Sequence, residues 1–146
     1  MELVCCLIFI FILNNFNYTG KTTAMNMLIG MIPPTSGSAT INGYDITTEI
    51  DQARNSIGIC LQDNILFNDL TVGEHIIFFC RLKGMKNSSK IKSEVEKYTS
   101  MLGLDDKKDQ RSKSLSGGQK RRLSIANALC GDSTFVILDE VRRFQR

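Results

Sequence analysis

A chain of 146 residues is enough for one modest domain with a real core. Its 42% hydrophobic and 23% charged content is that of an ordinary globular protein, which excludes a disordered tail or a fibrous repeat. A formal charge of +3, from eighteen basic against fifteen acidic residues, is too mild to argue for nucleic acid by itself.

Residues 3–13 (LVCCLIFIFIL) are an unbroken apolar run. The run falls short of the roughly 20 residues needed to cross a bilayer. A signal peptide would carry positive charge where Glu2 stands, and residues 14–18 offer no small-residue cleavage site. The Ile, Phe and Val content favours a buried strand, with a signal or membrane-associated segment and a wrong start as alternatives. Next comes NNFNYTGKTT, in which Gly20, Lys21 and Thr22 match the end of the phosphate-loop pattern G-x-x-x-x-G-K-[ST]. Asn15 stands where that pattern has its first glycine. An ordinary helix start with a surface lysine is the competing reading.

A helix is predicted over residues 21–31, with Met25, Leu28, Ile29 and Ile32 spaced for one buried face. Pro33, Pro34 and Gly37 end it; residues 38–42 read as a short strand, and Asn42-Gly43 as a turn. Residues 56–61 read as a second strand, ending at the polar Gln62. Thr71-Val72-Gly73-Glu74 is a capping box opening a helix through about Lys83. Ile76, Phe78, Phe79 and Leu82 cover much of that helix, so it is expected to be well buried or to bind a partner. His75, the only histidine, reads as a helix-surface or capping residue.

A further helix is predicted over residues 89–102, with Ile91, Val95, Tyr98 and Leu102 on one stripe and Gly103 as its stop. Residues 105–113 form a charged connector, expected to be a solvated loop. Residues 115–140 then read LSGGQKRRLSIANALCGDSTFVILDE. Ser116, Gly117 and Gly118 let backbone amides approach an anion at a helix N-terminus. Lys120, Arg121 and Arg122 are expected on the solvent face of the helix whose other face carries Leu123, Ala126 and Leu129; a nucleic-acid patch is the alternative. Residues 135–138 are apolar without alternation, as in a strand buried on both faces of a parallel sheet. Asp139 and Glu140 emerge at its carboxyl end, where open α/β sheets bind ligands. The five cysteines show no metal-type spacing and read as core thiols in a reducing compartment.

The run Leu115 to Gln119, followed by four apolar residues and Asp-Glu, resembles the signature and Walker B segments of an ABC (ATP-binding cassette) nucleotide-binding domain. PPTSG followed by a glycine-turned strand is typical of the same family, and QDNILFNDLTV with LTVGEHIIFFCRLKGM resembles its A subfamily, many of whose members move lipids; the resemblance spans roughly residues 19–140. It implies an α/β, P-loop NTPase-like, mainly parallel sheet with an inserted helical subdomain, incomplete in this chain. Residues 1–146 would be a partial nucleotide-binding domain, with 1–18 a divergent apolar segment and 71–130 the helical subdomain. The implied cofactors are ATP and Mg²⁺. By the same resemblance Thr19, Gly20, Lys21, Thr22 and Thr23 bind ATP, and Thr22, Gln62 and Asp139 serve Mg²⁺. Glu140 and Gln62 act on the attacking water. Ser116, Gly117, Gly118 and Gln119 contact a nucleotide held by a second cassette.

The implied partners are therefore a second nucleotide-binding domain and the transmembrane domains of a transporter, with a lipid substrate and no nucleic acid. The implied location is the cytoplasmic face of a membrane. The sequence departs from the family at Asn15, at Tyr18 where another glycine is usual, and at Val141 where a proline usually follows the glutamate. The family's switch histidine lies beyond Walker B, so His75 is not it. Three readings follow: an ATP-binding module of a lipid exporter, a non-catalytic truncated fragment, and a soluble cassette ATPase acting on nucleic acid or ribosomes. The isolated chain is expected to be inactive.

Overall fold

The computed structural model describes residues 9–12 and 20–138, which form two units. One holds the described residues up to Ile59 together with those from Ser133 to Leu138; the other is Cys60–Asp132.

The first unit is built on a three-stranded sheet in the order β1-β5-β4, from β1 (Phe9–Ile12), β5 (Phe135–Leu138) and β4 (Ile57–Cys60). β1 and β5 run parallel in register, Phe9 opposite Phe135 and Ile12 opposite Leu138. The absence of alternation in β5 is explained by its central place: Val136, Ile137 and Leu138 are all buried. The amides of Thr134 and Phe135 both donate to the Ser56 carbonyl, at 3.0 and 3.1 Å, tying the approach to β5 onto the residue that opens β4.

Helix α1 (Lys21–Leu28) is shorter than the expected 21–31. Gly30 stops it at φ +72°, a left-handed conformation that glycine adopts without strain. A Cβ there would lie 2.3 Å from Cγ1 of Ile50, so the position also has no room for a side chain. The Asn26 carbonyl is capped by the amides of Met31 and Ile32, and the Arg54 guanidinium donates to the carbonyls of Ile29 (3.1 Å) and Gly30 (2.9 Å). Past this stop the helical register no longer applies, and Ile32, expected on the buried face, is 42% exposed. Met25 is buried against Ile41, Ile46, Ala53, Ile57 and Ile137. The expected strand at 38–42 shrinks to one arm of a hairpin, β2 (Thr40–Ile41) and β3 (Tyr44–Asp45). Asn42 (φ 53°) and Gly43 (φ 84°) both take the left-handed conformation of a type I′ turn, the geometry that matches strand twist. A short helix not foreseen from sequence, α2 (Ile50–Asn55), buries Ala53 and sets Asp51 against Arg54 one turn apart.

The second unit is a helical cluster of α3 (Val72–Leu82), α4 (Ser88–Met101) and α5 (Gly117–Leu129). Each begins with a side-chain cap: Thr71 with Glu74, Asn87 with the amides of Ser89 and Lys90, and Ser116 with Gln119. Val72, Ile76, Val95, Leu104, Leu123 and Ala126 are at the centre of their shared core. Each of the larger aliphatic side chains among them contributes about 1.5–3 kcal/mol relative to exposure. One face of α3 is buried as expected, whereas Phe78 and Leu82 on its other side are 40% and 67% exposed. The charged connector is not a loose loop. It folds into two 3₁₀ turns, Asp105–Lys107 and Ser112–Ser114. Its carbonyls at Lys108 and Gln110 accept the amides of Gly73 and Val72, and Ser112 is buried with its hydroxyl donating to Phe67 O. Charged side chains face solvent while the backbone meets the bonding needs of the α3 N-terminus.

His75 corrects the surface reading. It is fully buried, with Nδ1 2.7 Å from the Thr71 carbonyl and Nε2 3.0 Å from the Phe67 amide nitrogen. A carbonyl only accepts and an amide only donates, so the ring is neutral, protonated at Nδ1 and accepting at Nε2. Burial outweighs the Thr71 bond and the Glu74 charge and lowers its pKa below the ordinary 6.5. The unfolded chain then binds the extra proton first, so His75 contributes stability fully above pH 6.5 and loses it as pH falls through that value. The urea midpoint is expected to drop between pH 7.5 and 5.5, and a His75→Gln variant to show less of that drop. An equal drop in both proteins would remove the histidine from the explanation.

Candidate functional site

Two helix beginnings and one sheet edge carry the residues picked out by sequence. The in-register pairing of β1 and β5 sets Ile12 beside Leu138, so the chain leaves both strands at the same edge. The phosphate-loop stretch follows Ile12 in sequence, and Asp139 and Glu140 follow Leu138 directly. Thr19, Asp139 and Glu140, with Asn15, Tyr18 and the first eight residues, lie outside the described residues.

Gly20 opens α1 at φ +120°, a conformation that L side chains rarely adopt. It has no side chain to cap the helix, in contrast to α3, α4 and α5. The first helical bond runs from the Ala24 amide to the Gly20 carbonyl at 2.8 Å. The amides of Lys21, Thr22 and Thr23 therefore precede the helical ladder, at the positive end of the helix dipole. Thr22 and Thr23 are exposed. This is a helix start with no side-chain cap and with its first two threonines exposed.

The second helix start is differently made. The Ser116 hydroxyl accepts the Gln119 amide at 3.3 Å, and Gln119 Oε1 accepts the Ser116 amide at 2.8 Å. This S-x-x-Q capping box was written in the sequence and went unread there. Gly117 and Gly118 are exposed, and a Cβ built on either meets nothing within 4 Å. The chain's own packing thus does not require glycine at these two positions.

Gln62 is exposed, at the start of the loop after β4. Its backbone is held by Arg121 on α5, whose guanidinium donates to the Leu61 carbonyl and, at 3.3 Å, to the Gln62 carbonyl. Arg122 donates to the Leu102 and Gly103 carbonyls at 2.9 and 3.1 Å and so caps the end of α4. Lys120, Arg121 and Arg122 are all half-buried, which corrects the expectation that they form a solvent face. Arg121 is the positioning residue that sequence reading missed, since a basic triplet on a helix gives no hint of a carbonyl more than fifty residues earlier. Among the described residues no group of three or more His, Cys, Asp or Glu is gathered for a metal, and no helix is long and apolar enough to cross a membrane. Cys60, Cys80 and Cys130 are buried, as expected of core thiols; Cys5 and Cys6 lie outside the described residues.

The family model described as ABC transporter matches residues 17–142. The chain is 49% identical over 129 residues to the phospholipid-transporting ATPase ABCA3 of Rattus norvegicus, covering 88% of this chain and 8% of that protein. It is 50% identical over 124 residues to the ATP-binding cassette sub-family A member 2 of Homo sapiens, covering 85% of this chain and 5% of that one. The chain thus spans less than a tenth of the length of these relatives. A solved structure titled as the ATP binding subunit of an ABC transporter superposes with a TM-score of 0.73 at 22% identity, over 91% of this chain and 54% of that one.

Proposed function

This chain belongs to the ABC transporter family, and from that premise we propose that it is the ATP-binding module of an A-subfamily exporter that moves lipids across a membrane. The observation that carries the reading is the uncapped start of α1 at Gly20, on a helix packed against the sheet in which β1 and β5 end side by side. Bound ATP would supply a phosphoanhydride whose cleavage drives transport. The amides of Lys21, Thr22 and Thr23 bind its phosphates, with Thr19 and Gly20 shaping the approach and the Lys21 charge neutralising the β and γ groups. Mg²⁺ is a hard cation that keeps several waters beside phosphate oxygens, so the donor set of Thr22, Gln62 and Asp139 fits its chemistry. Glu140 holds the attacking water, and Gln62 carries the link toward the membrane helices.

Ser116, Gly117, Gly118 and Gln119 serve a nucleotide held by a second nucleotide-binding domain. Their support is the pair of exposed glycines with no packing need of their own. The working assembly then consists of two cassettes and transmembrane domains at the cytoplasmic face of a membrane. Residues 71–130 form its signature-bearing helical subdomain. A second reading, nucleotide binding without turnover, is favoured by Asn15 and Tyr18, since tyrosine tolerates left-handed backbone poorly.

Titration of Mg-ATP into the full chain tests the first step. Saturable binding is expected, and no binding at millimolar nucleotide would sink both readings. Phosphate release at saturating ATP, measured with a second cassette present, separates them.

A further inference from the structure

One pair of side chains has no part in nucleotide chemistry. Cys80 sits in the last turn of α3 and Cys130 caps the end of α5, and both are fully buried. The Cys130 sulfur lies 3.9 Å from the Ile76 carbonyl, one helical turn before Cys80, and 3.4 Å from the Asn127 carbonyl. Helical side chains lean toward the N-terminus, so the Cys80 sulfur comes down over that same turn. Each thiol is the strongest influence on the acidity of the other. The backbone is equally close: a Cβ built on Gly131 would lie 3.5 Å from the Cys80 Cα. We propose that Cys80 and Cys130 are a reversible oxidation site, closing a disulfide between α3 and the end of α5 when the chain meets a hydroperoxide.

The surroundings favour a division of labour between the two sulfurs. The Lys83 ammonium donates to the Ala128 and Cys130 carbonyls at 3.0 and 2.8 Å, which keeps a positive charge beside the pair. Glu94 on the facing helix is engaged by the Gly131 amide at 3.1 Å and by Lys97 at 3.8 Å. The neighbouring Cys130 side chain holds the Cys80 thiol below its ordinary range against the effect of burial. The Cys80 side chain, with burial, pushes Cys130 up. Cys80 is therefore the nucleophile and Cys130 the resolving thiol.

The Cys80 thiolate attacks the outer peroxide oxygen, the O–O bond breaks, and Cys80 becomes a sulfenic acid as the alcohol or water leaves. The Cys130 sulfur then displaces the hydroxyl, its proton departing with it as water. In total, two thiols and one hydroperoxide give one disulfide, one alcohol (or water) and one water. Both sulfurs lie at helix ends, where local opening admits a small oxidant more readily than the helix centres do.

The test treats the reduced full chain with hydrogen peroxide, alkylates the remaining thiols under denaturing conditions and maps peptides without reduction. Expected is a Cys80–Cys130 linked peptide, the loss of two thiols per chain, and its reversal by dithiothreitol. Cys130→Ser should leave Cys80 as a sulfenic acid trapped by dimedone, and Cys80→Ser should leave Cys130 free. Full alkylation of both thiols under conditions that oxidise Cys60 would overturn the proposal, as would a link from Cys80 to any other cysteine. The wild-type map decides by itself if either variant fails to fold.

Discussion

Lys21→Ala is expected to weaken Mg-ATP binding roughly tenfold to a hundredfold while leaving the melting temperature of the free chain nearly unchanged. A hydrogen bond to a charged group is worth about 1.5–3 kcal/mol, and each 1.4 kcal/mol is tenfold in affinity. The amides at the start of α1 stay in place in the variant, so residual binding reports what the helix end does without the lysine charge. The substitution falls at the first helical position, where alanine is as good a helix former as any residue. Calorimetric titration of both proteins gives the ratio directly. Equal affinities would mean that the nucleotide is held elsewhere.

Gly117→Leu is expected to do the reverse, sparing the fold and the chain's own nucleotide while abolishing association with a second cassette. A Cβ at Gly117 meets nothing within 4 Å, and the residue is exposed. Replacing glycine inside a helix by a good helix former should add up to about 1 kcal/mol of stability, less at the first turn. On the opposite side of a shared phosphate, four added carbons would occupy the path by which the Gly117 and Gly118 amides approach the anion. Sedimentation with a non-hydrolysable ATP analogue should show the wild type pairing and the variant staying single, with unchanged binding of one nucleotide per chain. If the variant pairs as well as the wild type, these glycines have no role across the interface.

These two expectations rest on different levels of the chain, and they were legible to different degrees. The strand at 135–138 was readable because an unalternated apolar run has one simple home, the centre of a parallel sheet. Asn42-Gly43 was readable because few residue pairs accept two successive positive φ values. The long-range contacts were hidden. His75 looked like a surface residue because α3 gives no sign that the Phe67 amide comes to meet it, and only tertiary packing supplies that donor. The connector over 105–113 was read by its charge, while its structural role belongs to backbone carbonyls that composition does not report.

At the site itself, the helix start at Gly20 is legible from Gly-Lys-Thr-Thr only because the signature stretch follows it further along the chain. Ser116 and Gln119 were picked out for a phosphate, yet within this chain their first task is to cap α5. The two tasks are compatible, because the box uses the amides of Ser116 and Gln119 and not those of Gly117 and Gly118. Arg121, which fixes the backbone at Gln62, was misread as solvent-facing because its partners are carbonyls, invisible to any pattern of side-chain types.

Amide hydrogen exchange, with and without Mg-ATP, addresses the grip on the triphosphate most directly, since it reads the backbone donors themselves. Slowed exchange is expected at Lys21, Thr22 and Thr23 at any protein concentration. At Gly117 and Gly118 it should appear only at concentrations where two chains associate. Unchanged exchange at the start of α1 under saturating nucleotide would contradict the assignment, whatever else in the chain became protected.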